Sequence, residues 1–272
     1  MKRKVLFITG SSSGIGLATI KYFAEKGWNI AATMRDTSKA ELFSSYENVR
    51  VYALDVTSPV MIEVVVKQVI RDFGKVDVVV NNAGYGAIGP FEFADDKDVE
   101  KQINTNFLSV SKITNSFIPH FIEKGDGVFI NISSIAGRIA LPFYSIYNAS
   151  KFAIEGFSES LSYELHEFNI KVRIIEPGPI KTDFNSRSRV DLLKGNSNHY
   201  EKHFTKADGF YTNLFNSAIS AEKVAKVIYK ASNSTSKRMR YPVGFNAKAL
   251  LILNKLLPSR LYRLIVRFVI NL

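Results

Sequence analysis

A tyrosine and a lysine four residues apart, Tyr147 and Lys151 in the run YNASK, could carry out acid–base chemistry in a shared pocket. Residues at positions i and i+4 lie on one face of a helix, so the phenol and the ammonium can point the same way. A free tyrosine has a pKa of about 10, and closing a gap of ~3 units to pH 7 requires roughly 4 kcal/mol of stabilisation of the phenolate. A buried lysine beside the phenol could contribute this by charge proximity. The same spacing is common on solvated helix faces. The other motifs of the chain therefore decide whether this pair forms an active site.

A glycine-rich turn near the N-terminus predicts a cradle for a phosphate group. The short apolar run from Val5 to Ile8 is typical of a buried parallel strand, TGSSSGIG follows at 9–16, and a helical stretch runs from Leu17 to Lys26. Glycines let the backbone approach an anion, and the free N–H groups of a helix start point at it. The spacing is G-x-x-x-G-x-G rather than G-x-G-x-x-G. A merely flexible turn is the alternative, which the strand before and the helix after argue against.

Together with motifs farther along the chain, these runs resemble the short-chain dehydrogenase/reductase family. The matching motifs extend from about residue 4 to about residue 243 and occur in the family's order: TGSSSGIG, NNAG at 81–84, Asn106, Ser134, Tyr147-x-x-x-Lys151 and Pro177-Gly178. Within the family, TMRD at 33–36, NAGYGAIGPFE at 82–92 and the segment 141–161 resemble the 17-beta-hydroxysteroid-dehydrogenase-like branch. The resemblance implies the fold and the reaction class but leaves the substrate open, because one architecture hosts many activities.

Alternation of strand-like and helix-like segments predicts an α/β fold. The strand-like runs lie at 5–9, 29–33, 49–54, 76–80, 127–132, 171–175 and 239–243, with helical segments between them. This pattern predicts a single Rossmann-type, doubly wound parallel sheet of about seven strands with helices on both faces. Ligands bind such sheets at the carboxyl ends of the strands, and the motifs follow strands. We therefore expect one dinucleotide-binding and catalytic domain over 1–244.

The resemblance implies hydride transfer between a nicotinamide cofactor and an alcohol or carbonyl carbon. Tyr147 would give or take the hydroxyl proton. Lys151 and the cationic nicotinamide ring would lower the pKa of Tyr147, and Lys151 would also hydrogen-bond the nicotinamide ribose. Ser134, 13 residues before Tyr147, would hold the substrate oxygen. Asn106 would fix a water that passes the proton outward from Lys151. By residue type, Ser133 could take the role of Ser134, and Asn104 could take the role of Asn106. The family's spacing favours Ser134 and Asn106.

The end of the second strand bears on the choice of cofactor. In NAD-binding proteins of this type, an acidic residue about 20 positions after the glycine turn binds the ribose 2′-hydroxyl. The residue 20 positions after Gly14 is Met34, which is not acidic. Arg35 follows, and its guanidinium suits a 2′-phosphate. Asp36 would repel that phosphate if it pointed inward, but we interpret it as a helix cap. We therefore expect NADP(H), with NAD(H) as the alternative.

Further cofactor contacts follow from the same resemblance. Asp55 and Val56 match the pair that contacts adenine, although Asp55 could instead be a structural cap, and Thr182 matches the residue that contacts the carboxamide. The full set of expected cofactor-binding residues is Gly10, Ser12, Ser13, Gly14, Ile15, Gly16, Arg35, Asp55, Val56, Asn82, Ala83, Gly84, Tyr147, Lys151, Pro177, Gly178, Ile180 and Thr182.

Composition narrows the class of protein. The chain has 272 residues, of which 46% are hydrophobic and 22% charged, as in an ordinary folded domain. It has no cysteine, which excludes disulfides and thiolate sites. Its net charge of +11 calls for a partner of opposite charge, such as a phosphorylated cofactor or an anionic membrane surface. Nucleic acid is less favoured as the partner, since no nucleic-acid motif accompanies the charge. No uninterrupted apolar stretch is long enough to span a bilayer. We expect a cytoplasmic protein.

Two segments depart from the strand–helix alternation. Residues 183–220 are polar but contain aromatic residues, and we expect a substrate lid there, with an ordered surface loop as the alternative. His199 and His203 in this insertion are not in an HExxH motif, so no metal site is expected. The C-terminal extension 245–272 forms two short apolar helices separated by Pro258, the second of which is basic and amphipathic. It could lie on a membrane surface, or it could cover the cleft or contact a second subunit.

These features predict an NADP(H)-dependent oxidoreductase acting on an alcohol or ketone of an apolar substrate such as a steroid, a retinoid or a lipid. The apolar side chains expected around the substrate are Ile88, Phe91, Leu141, Phe143, Tyr144 and the lid aromatics Phe204, Phe210 and Tyr211. The alternative enzyme is a reductase of acyl or lipid-biosynthesis keto intermediates, in which Arg187 and Arg189 could hold a phosphate. The non-enzyme alternative is an NADP(H)-sensing protein. The resemblance also implies a homodimer formed by helices around 97–122 and 145–168.

Overall fold

A seven-stranded parallel sheet forms the centre of the protein. The computed structural model describes residues 3–181, 188–192, 198–216 and 218–270. In spatial order the strands are β11 (Arg240–Val243), β7 (Ile170–Pro177), β6 (Gly127–Ile132), β4 (Val78–Asn81), β1 (Val5–Thr9), β2 (Asn29–Met34) and β3 (Val49–Ala53). The predicted doubly wound parallel fold is confirmed, and each predicted strand-like run corresponds to one strand of this sheet.

Helices cover both faces of the sheet. They are α1 (Gly14–Glu25), α2 (Pro59–Phe73), α3 (Asp96–Ile103), α4 (Ser109–Lys124), α5 (Ser145–Glu164), α6 (Asn198–Asn216), α7 (Ala221–Asn233), α8 (Phe245–Leu256) and α9 (Ser259–Ile270). Helices α1 and α7 bury one apolar cluster against the sheet, and α2, α4 and α5 bury a second cluster on the opposite face. Every residue of β1, β4 and β6 is buried, as expected for strands that are covered on both sides.

Two small pairs of strands lie outside the main sheet. Strand β5 (Gly86–Ile88) pairs with β9 (Arg189–Asp191), and β8 (Ile180–Lys181) pairs with β10 (Ile219–Ser220). In each pair, one strand lies in a segment that follows the carboxyl end of a central strand. The other strand lies in the predicted lid region. None of the described helices is both long and apolar enough to cross a bilayer.

A buried polar chain crosses the middle of the sheet. The Asn81 amide nitrogen donates to Asn131 Oδ1 at 2.8 Å, and the Asn131 amide nitrogen donates to Ser158 Oγ on α5 at 2.8 Å. All three side chains are buried. Because an unpaired polar group costs free energy inside a protein, these hydrogen bonds fix the positions of β4, β6 and α5 relative to one another. They thereby fix the helix that carries Tyr147 and Lys151.

Replacing Asn131 with leucine should lower the free energy of unfolding by about 2–4 kcal/mol, because it removes both bonds and leaves partner groups unsatisfied. Urea unfolding followed by circular dichroism measures this change. Asn213→Leu, at an exposed position of α6, is the matched control and should alter stability by less than about 0.5 kcal/mol. Equal stability of the two variants would contradict a structural role for the hydrogen bonds of Asn131.

Candidate active site

The glycine turn has the geometry that its sequence predicts. Gly10 and Gly14 have φ values of +66° and +53°, which favour glycine. A Cβ on Gly10 would lie 2.8 Å from Ala83 Cα, and a Cβ on Gly16 would lie 2.8 Å from the Asn82 amide nitrogen. The turn after β1 therefore packs directly against the segment after β4, and a side chain at either glycine would force the two apart.

Asn82 and Thr9 hold these two segments together. The Asn82 amide nitrogen donates to the carbonyl oxygens of Thr9 and Gly10 at 2.9 and 3.0 Å. The Thr9 hydroxyl accepts from the backbone N–H groups of Asn82 and Ala83, both at 3.0 Å. Asn82 thus contributes to the cradle mainly by shaping its backbone.

The cradle suits a dinucleotide phosphate. Ser12, Ser13, Gly14 and Ile15 are partly exposed at the start of α1. The Ser13 side chain makes no capping hydrogen bond, and the first turn of α1 carries no acidic residue. The N–H groups of this turn and the local dipole therefore face an anion without competition from a carboxylate.

The loops after β2 and β3 provide the residues expected near the adenosine end. Asp36 caps the following short helix by accepting from the Ser38 N–H at 3.0 Å and from its hydroxyl at 2.6 Å, which leaves the exposed Arg35 as the cation at this edge. Asp55 Oδ1 accepts from the N–H and hydroxyl of Thr57 at 2.9 and 2.7 Å, which are contacts of a structural cap, and its contact with adenine stays a prediction. Val56 is buried beside it.

Tyr147, Lys151 and Ser134 converge at the carboxyl end of β6. The side chains of Ser134 and Tyr147 are hydrogen-bonded to each other. Lys151 Nζ donates to the carbonyl oxygen of Ile132 at 2.9 Å and lies 5.7 Å from the centroid of the Tyr147 ring. The Ser134 hydroxyl also accepts from the Ala136 N–H at 3.1 Å, which orients it at the start of a short helix. A hydroxyl pair and a buried cation therefore share one site.

Burial dominates the pKa values of Tyr147 and Lys151. Burial raises the pKa of Tyr147 to about 12, and the hydrogen bond from Ser134 opposes this rise. Burial lowers the pKa of Lys151 to about 8, and the negative charge of Glu155 opposes this fall. In the protein without a cofactor, loss of solvation therefore outweighs the Ser134 hydrogen bond at Tyr147, and the lowering expected from Lys151 together with a cationic nicotinamide ring stays a prediction.

Asn106 lies at an irregular turn in a long helix. Helices α3 and α4 are joined by a π-helical segment, Asn104–Leu108, of a kind that often occurs at functional sites. Asn106 Oδ1 accepts from the Tyr85 N–H at 3.0 Å, and its amide nitrogen donates to the Tyr85 carbonyl at 2.8 Å and to Ser150 Oγ at 3.1 Å. A Cβ on Gly84 would lie 3.2 Å from Asn106 Oδ1 and 3.9 Å from Lys151 Nζ. Gly84 therefore keeps open the space between the asparagine and the lysine.

A network of buried charges adjoins Lys151, and sequence analysis missed it. Arg240 Nε binds Glu155 Oε2 at 2.9 Å and a second nitrogen of Arg240 binds Glu159 Oε2 at 2.7 Å. Arg138 binds the buried Glu176 at 3.1 Å. Burial raises the pKa of both Glu155 and Glu176. One feature of the sequence could have indicated this network: Glu155 lies four residues after Lys151, on the same helix face.

An aromatic cluster surrounds Tyr147. The buried residues of this cluster are Ile88, Tyr144, Phe204, Ala207, Tyr211 and Ile270, and Leu141, Phe143, Tyr147 and Phe210 pack against them. The Tyr144 ring lies 6.0 Å from the Tyr147 ring and 4.9 Å from the Tyr211 ring. The cluster thus joins the loop before α5 to α6 and α9. Phe91, which was expected to line this region, is instead 59% exposed on the surface.

Phe143 has an unusual backbone conformation beside this cluster. Its φ value is +64°, which is costly for a residue with a side chain. The Phe143 carbonyl oxygen accepts from the Gly89 N–H at 2.9 Å, and its ring lies 5.4 Å from the Phe204 ring. The surrounding contacts hold this strained residue in place, as is common at ligand sites.

The segment after β7 completes the site. The Gly178 N–H donates to the Val243 carbonyl oxygen at 3.1 Å, directly after Pro177, and Ile180 is buried. A small cavity of about 160 Å³ lies beside Gly178, with Leu214, Ile219 and Phe245 in its wall. Thr182 and Arg187 lie outside the described residues. Arg189 binds Asp191 and Asp208 at 2.5 and 2.6 Å, so these two carboxylates already neutralise it.

Histidines of the insertion do not form a metal centre in the part of the chain that the structure describes. His199 and His203 are exposed on α6. No group of three or more histidine, aspartate or glutamate side chains among the described residues is arranged to hold a metal ion.

Comparisons with known proteins identify the family. The sequence pattern of the family described as short chain dehydrogenase matches residues 4–192. A 3-ketodihydrosphingosine reductase of Bacteroides thetaiotaomicron is 36% identical over 207 residues, which cover 76% of this chain and 75% of that protein. A short-chain dehydrogenase from Streptomyces avermitilis has a similar structure, with a TM-score of 0.84 and 29% identity over 93% of this chain and 92% of that one.

A second solved structure is that of ElxO with NADP bound, which has a TM-score of 0.76 and 26% identity over 91% of this chain and 99% of that one. The family pattern covers more than half of the chain and includes the glycine turn, Ser134, Tyr147 and Lys151. The protein is therefore an oxidoreductase that belongs to the short-chain dehydrogenase family.

Proposed function

We propose that the protein is an NADP(H)-dependent reductase of a ketone on an apolar, lipid-like substrate. The observation that carries the proposal is the hydrogen-bonded pair of Ser134 and Tyr147 beside the buried Lys151, with an aromatic cluster as its wall. Such a wall excludes water and favours an apolar substrate, while the hydroxyl pair provides the polar groups that would bind a carbonyl oxygen.

The residues around the cradle would hold the cofactor. The start of α1 would bind its phosphates, the exposed Arg35 would bind a 2′-phosphate, and Lys151 would hydrogen-bond the ribose. When bound, the cofactor supplies the hydride in reduction and accepts it in oxidation. The structural similarity to ElxO, which has NADP bound, supports the choice of NADP(H).

Tyr147 would transfer the proton. In reduction, its hydroxyl would donate to the carbonyl oxygen of the substrate while Ser134 donates a second hydrogen bond to the same oxygen. The Lys151 ammonium would stabilise the resulting phenolate and offset part of the cost of burying it. A water held near Asn106, in the space beside Gly84, would then return a proton through Lys151.

Two observations favour a long-chain keto lipid among apolar substrates. The relative from Bacteroides thetaiotaomicron is a 3-ketodihydrosphingosine reductase. The apolar cluster around Tyr147 includes side chains of α6 and α9, which are suited to contact an alkyl chain. A steroid or retinoid is the second candidate, because of the resemblance to the 17-beta-hydroxysteroid-dehydrogenase-like branch. A phosphate-bearing acyl carrier is less suited to Arg189, which two carboxylates neutralise.

The proposal includes a homodimer built by α4 and α5. These helices expose Ile122, Phe152 and Tyr163, and such apolar side chains are suited to a subunit interface. A cytoplasmic location with a peripheral membrane contact through the C-terminal helices completes the proposal. Helix α9 has its basic and apolar side chains at helical spacing, as membrane-surface helices do.

Spectrophotometric assay of NADPH oxidation tests the function. A panel of 3-keto sphingoid bases, steroid ketones, retinal and short soluble ketones should include at least one substrate that drives NADPH consumption. An NADP(H)-sensing protein without catalytic activity would bind NADPH tightly but consume none with any member of the panel.

Tyr147→Phe should lower kcat by at least 100-fold while NADPH binding is preserved, because the hydroxyl acts on the reacting carbonyl and not on the cofactor phosphates. Lys151→Ala should damage both turnover and cofactor affinity. Steady-state kinetics and NADPH fluorescence titration measure the two effects. A Tyr147→Phe variant with more than about a tenth of the original rate, a loss below ~1.4 kcal/mol, would contradict the acid–base assignment.

Arg35→Asp should shift preference from NADPH toward NADH. The change removes a partner of the 2′-phosphate and adds a carboxylate that can bind the 2′-hydroxyl. Relative kcat/KM values for the two cofactors measure the shift, and Arg50→Asp, an exposed change on β3, is the control for added negative charge. An unchanged ratio in Arg35→Asp would show that this guanidinium does not recognise the phosphate.

Glu155→Gln should move the alkaline limb of the pH–rate profile to lower pH. The carboxylate of Glu155 favours the protonated form of Lys151, so its removal lowers the pKa of Lys151 further below about 8. The ammonium that stabilises the phenolate is then lost at a lower pH. Glu159→Gln is the matched control, since Glu159 also binds Arg240 but is half exposed. Identical pH profiles for Glu155→Gln and the unmodified protein would refute this coupling.

A further inference from the structure

The last two helices present opposite faces to the protein and to solvent. On the inner face, Tyr262 and Ile270 of α9 are buried, and Ala247 of α8 is buried with them. Tyr262 and Ala247 pack in one cluster with Ile135 and Ile139, which directly follow Ser134. Ile270 packs in the aromatic cluster that contains Tyr147. The inner face therefore forms part of the wall of the candidate active site.

The outer face is apolar and exposed. Phe245, Ile252 and Leu256 recur along one side of α8, and Leu261, Leu264 and Phe268 recur along one side of α9. Phe245 and Phe268 are 85% and 87% exposed. Rows of exposed large apolar side chains on two successive helices mark an interaction site rather than an ordinary surface.

Basic residues flank both apolar rows. Lys248 and Lys255 on α8, and Arg260, Arg263 and Arg267 on α9, are exposed, and with 3.6 residues per turn each set falls beside the apolar row of its own helix. The sequence from 245 to 272 contains no aspartate or glutamate. A surface with apolar side chains at its centre and cations at its edge complements an anionic lipid bilayer, whose headgroups lie above its acyl chains.

We propose that the α8–α9 surface docks on an anionic lipid bilayer and places the mouth of the substrate site at the membrane. The exposed apolar rows enter the interface and the flanking cations contact lipid phosphates. Because the opposite face of the same helices lines the wall around Tyr147, a lipid substrate reaches the site beneath α9 without crossing water. The statement about substrate entry rests on the proposed reductase activity, whereas the docking deepens the proposed membrane contact and does not depend on that activity.

Sedimentation with vesicles tests the docking without any measurement of turnover. The full-length protein should bind vesicles of phosphatidylcholine mixed with phosphatidylglycerol, bind phosphatidylcholine vesicles far more weakly, and lose affinity at high salt. Arg263→Gln with Arg267→Gln should weaken binding about 25-fold, and Leu264→Ser with Phe268→Ser should weaken it about 100-fold or more. All four residues are exposed, so these variants should keep their thermal stability and NADPH affinity.

The matched control removes the same charge elsewhere. Lys67→Gln with Arg71→Gln changes two exposed cations on α2 and should alter vesicle binding by less than about twofold. Docking is overturned if the unmodified protein does not bind anionic vesicles at low salt, or if the control loses as much affinity as the α9 variants. It is also overturned if the apolar substitutions abolish self-association in light scattering and leave vesicle binding unchanged, because a second copy of the chain then covers this surface.

Substrate entry has its own test. With a keto lipid embedded in anionic vesicles, the α9 variants should have a KM raised at least tenfold, while their kcat/KM for a short soluble ketone stays within about twofold. Equal KM values for the embedded lipid would overturn the entry route. Absence of NADPH consumption with every ketone would instead count against the proposed function and would leave vesicle docking intact.

Discussion

The burial of one positive charge, that of Lys151, is the constraint around which the site is built. A lysine that leaves water favours its neutral form, and its pKa falls accordingly to about 8. Two features oppose this loss: the carbonyl oxygen of Ile132 at the end of β6 accepts a hydrogen bond from Nζ, and the carboxylate of Glu155 lies one helical turn away. The ammonium is thereby retained near neutral pH. A buried cation in this position requires both a strand end and a charged helix face.

That requirement extends to parts of the chain far apart in sequence. Glu155 is itself buried, so it needs Arg240, which is the first residue of the last strand of the sheet. Glu176 at the end of β7 needs Arg138, which follows Ser134. Because breaking a buried ion pair leaves an uncompensated charge, the network couples the edge strand β11, the Ser134 segment and α5. The ionic contacts that stabilise Lys151 therefore also fix the orientation of α5.

The sequence predicted the scaffold well, because local signals determine it. Short apolar runs marked the seven strands, and their alternation with helices predicted the doubly wound parallel sheet that the structure has. It predicted less of the site's electrostatics. The direction of the Tyr147 pKa shift depends on solvation by residues of α6 and α9, and the neutralisation of Arg189 depends on Asp208, 19 positions away. Such effects arise from contacts between distant segments, which periodicity and motif spacing do not encode. Phe91 was misplaced for the same reason.

The aromatic cluster over Tyr147 lies between the densely packed core and the C-terminal helices. The sheet and the helices on its two faces are densely buried, whereas α8 and α9 keep much of their apolar surface exposed. Segments with few buried contacts open at lower free-energy cost than the core. Helix α9, which buries Tyr262 and Ile270 and exposes most of its other apolar side chains, would therefore lose fewer buried contacts by moving than the core helices would. A bilayer that shields its exposed side chains would lower that cost further, because the apolar surface would not return to water when the helix shifts.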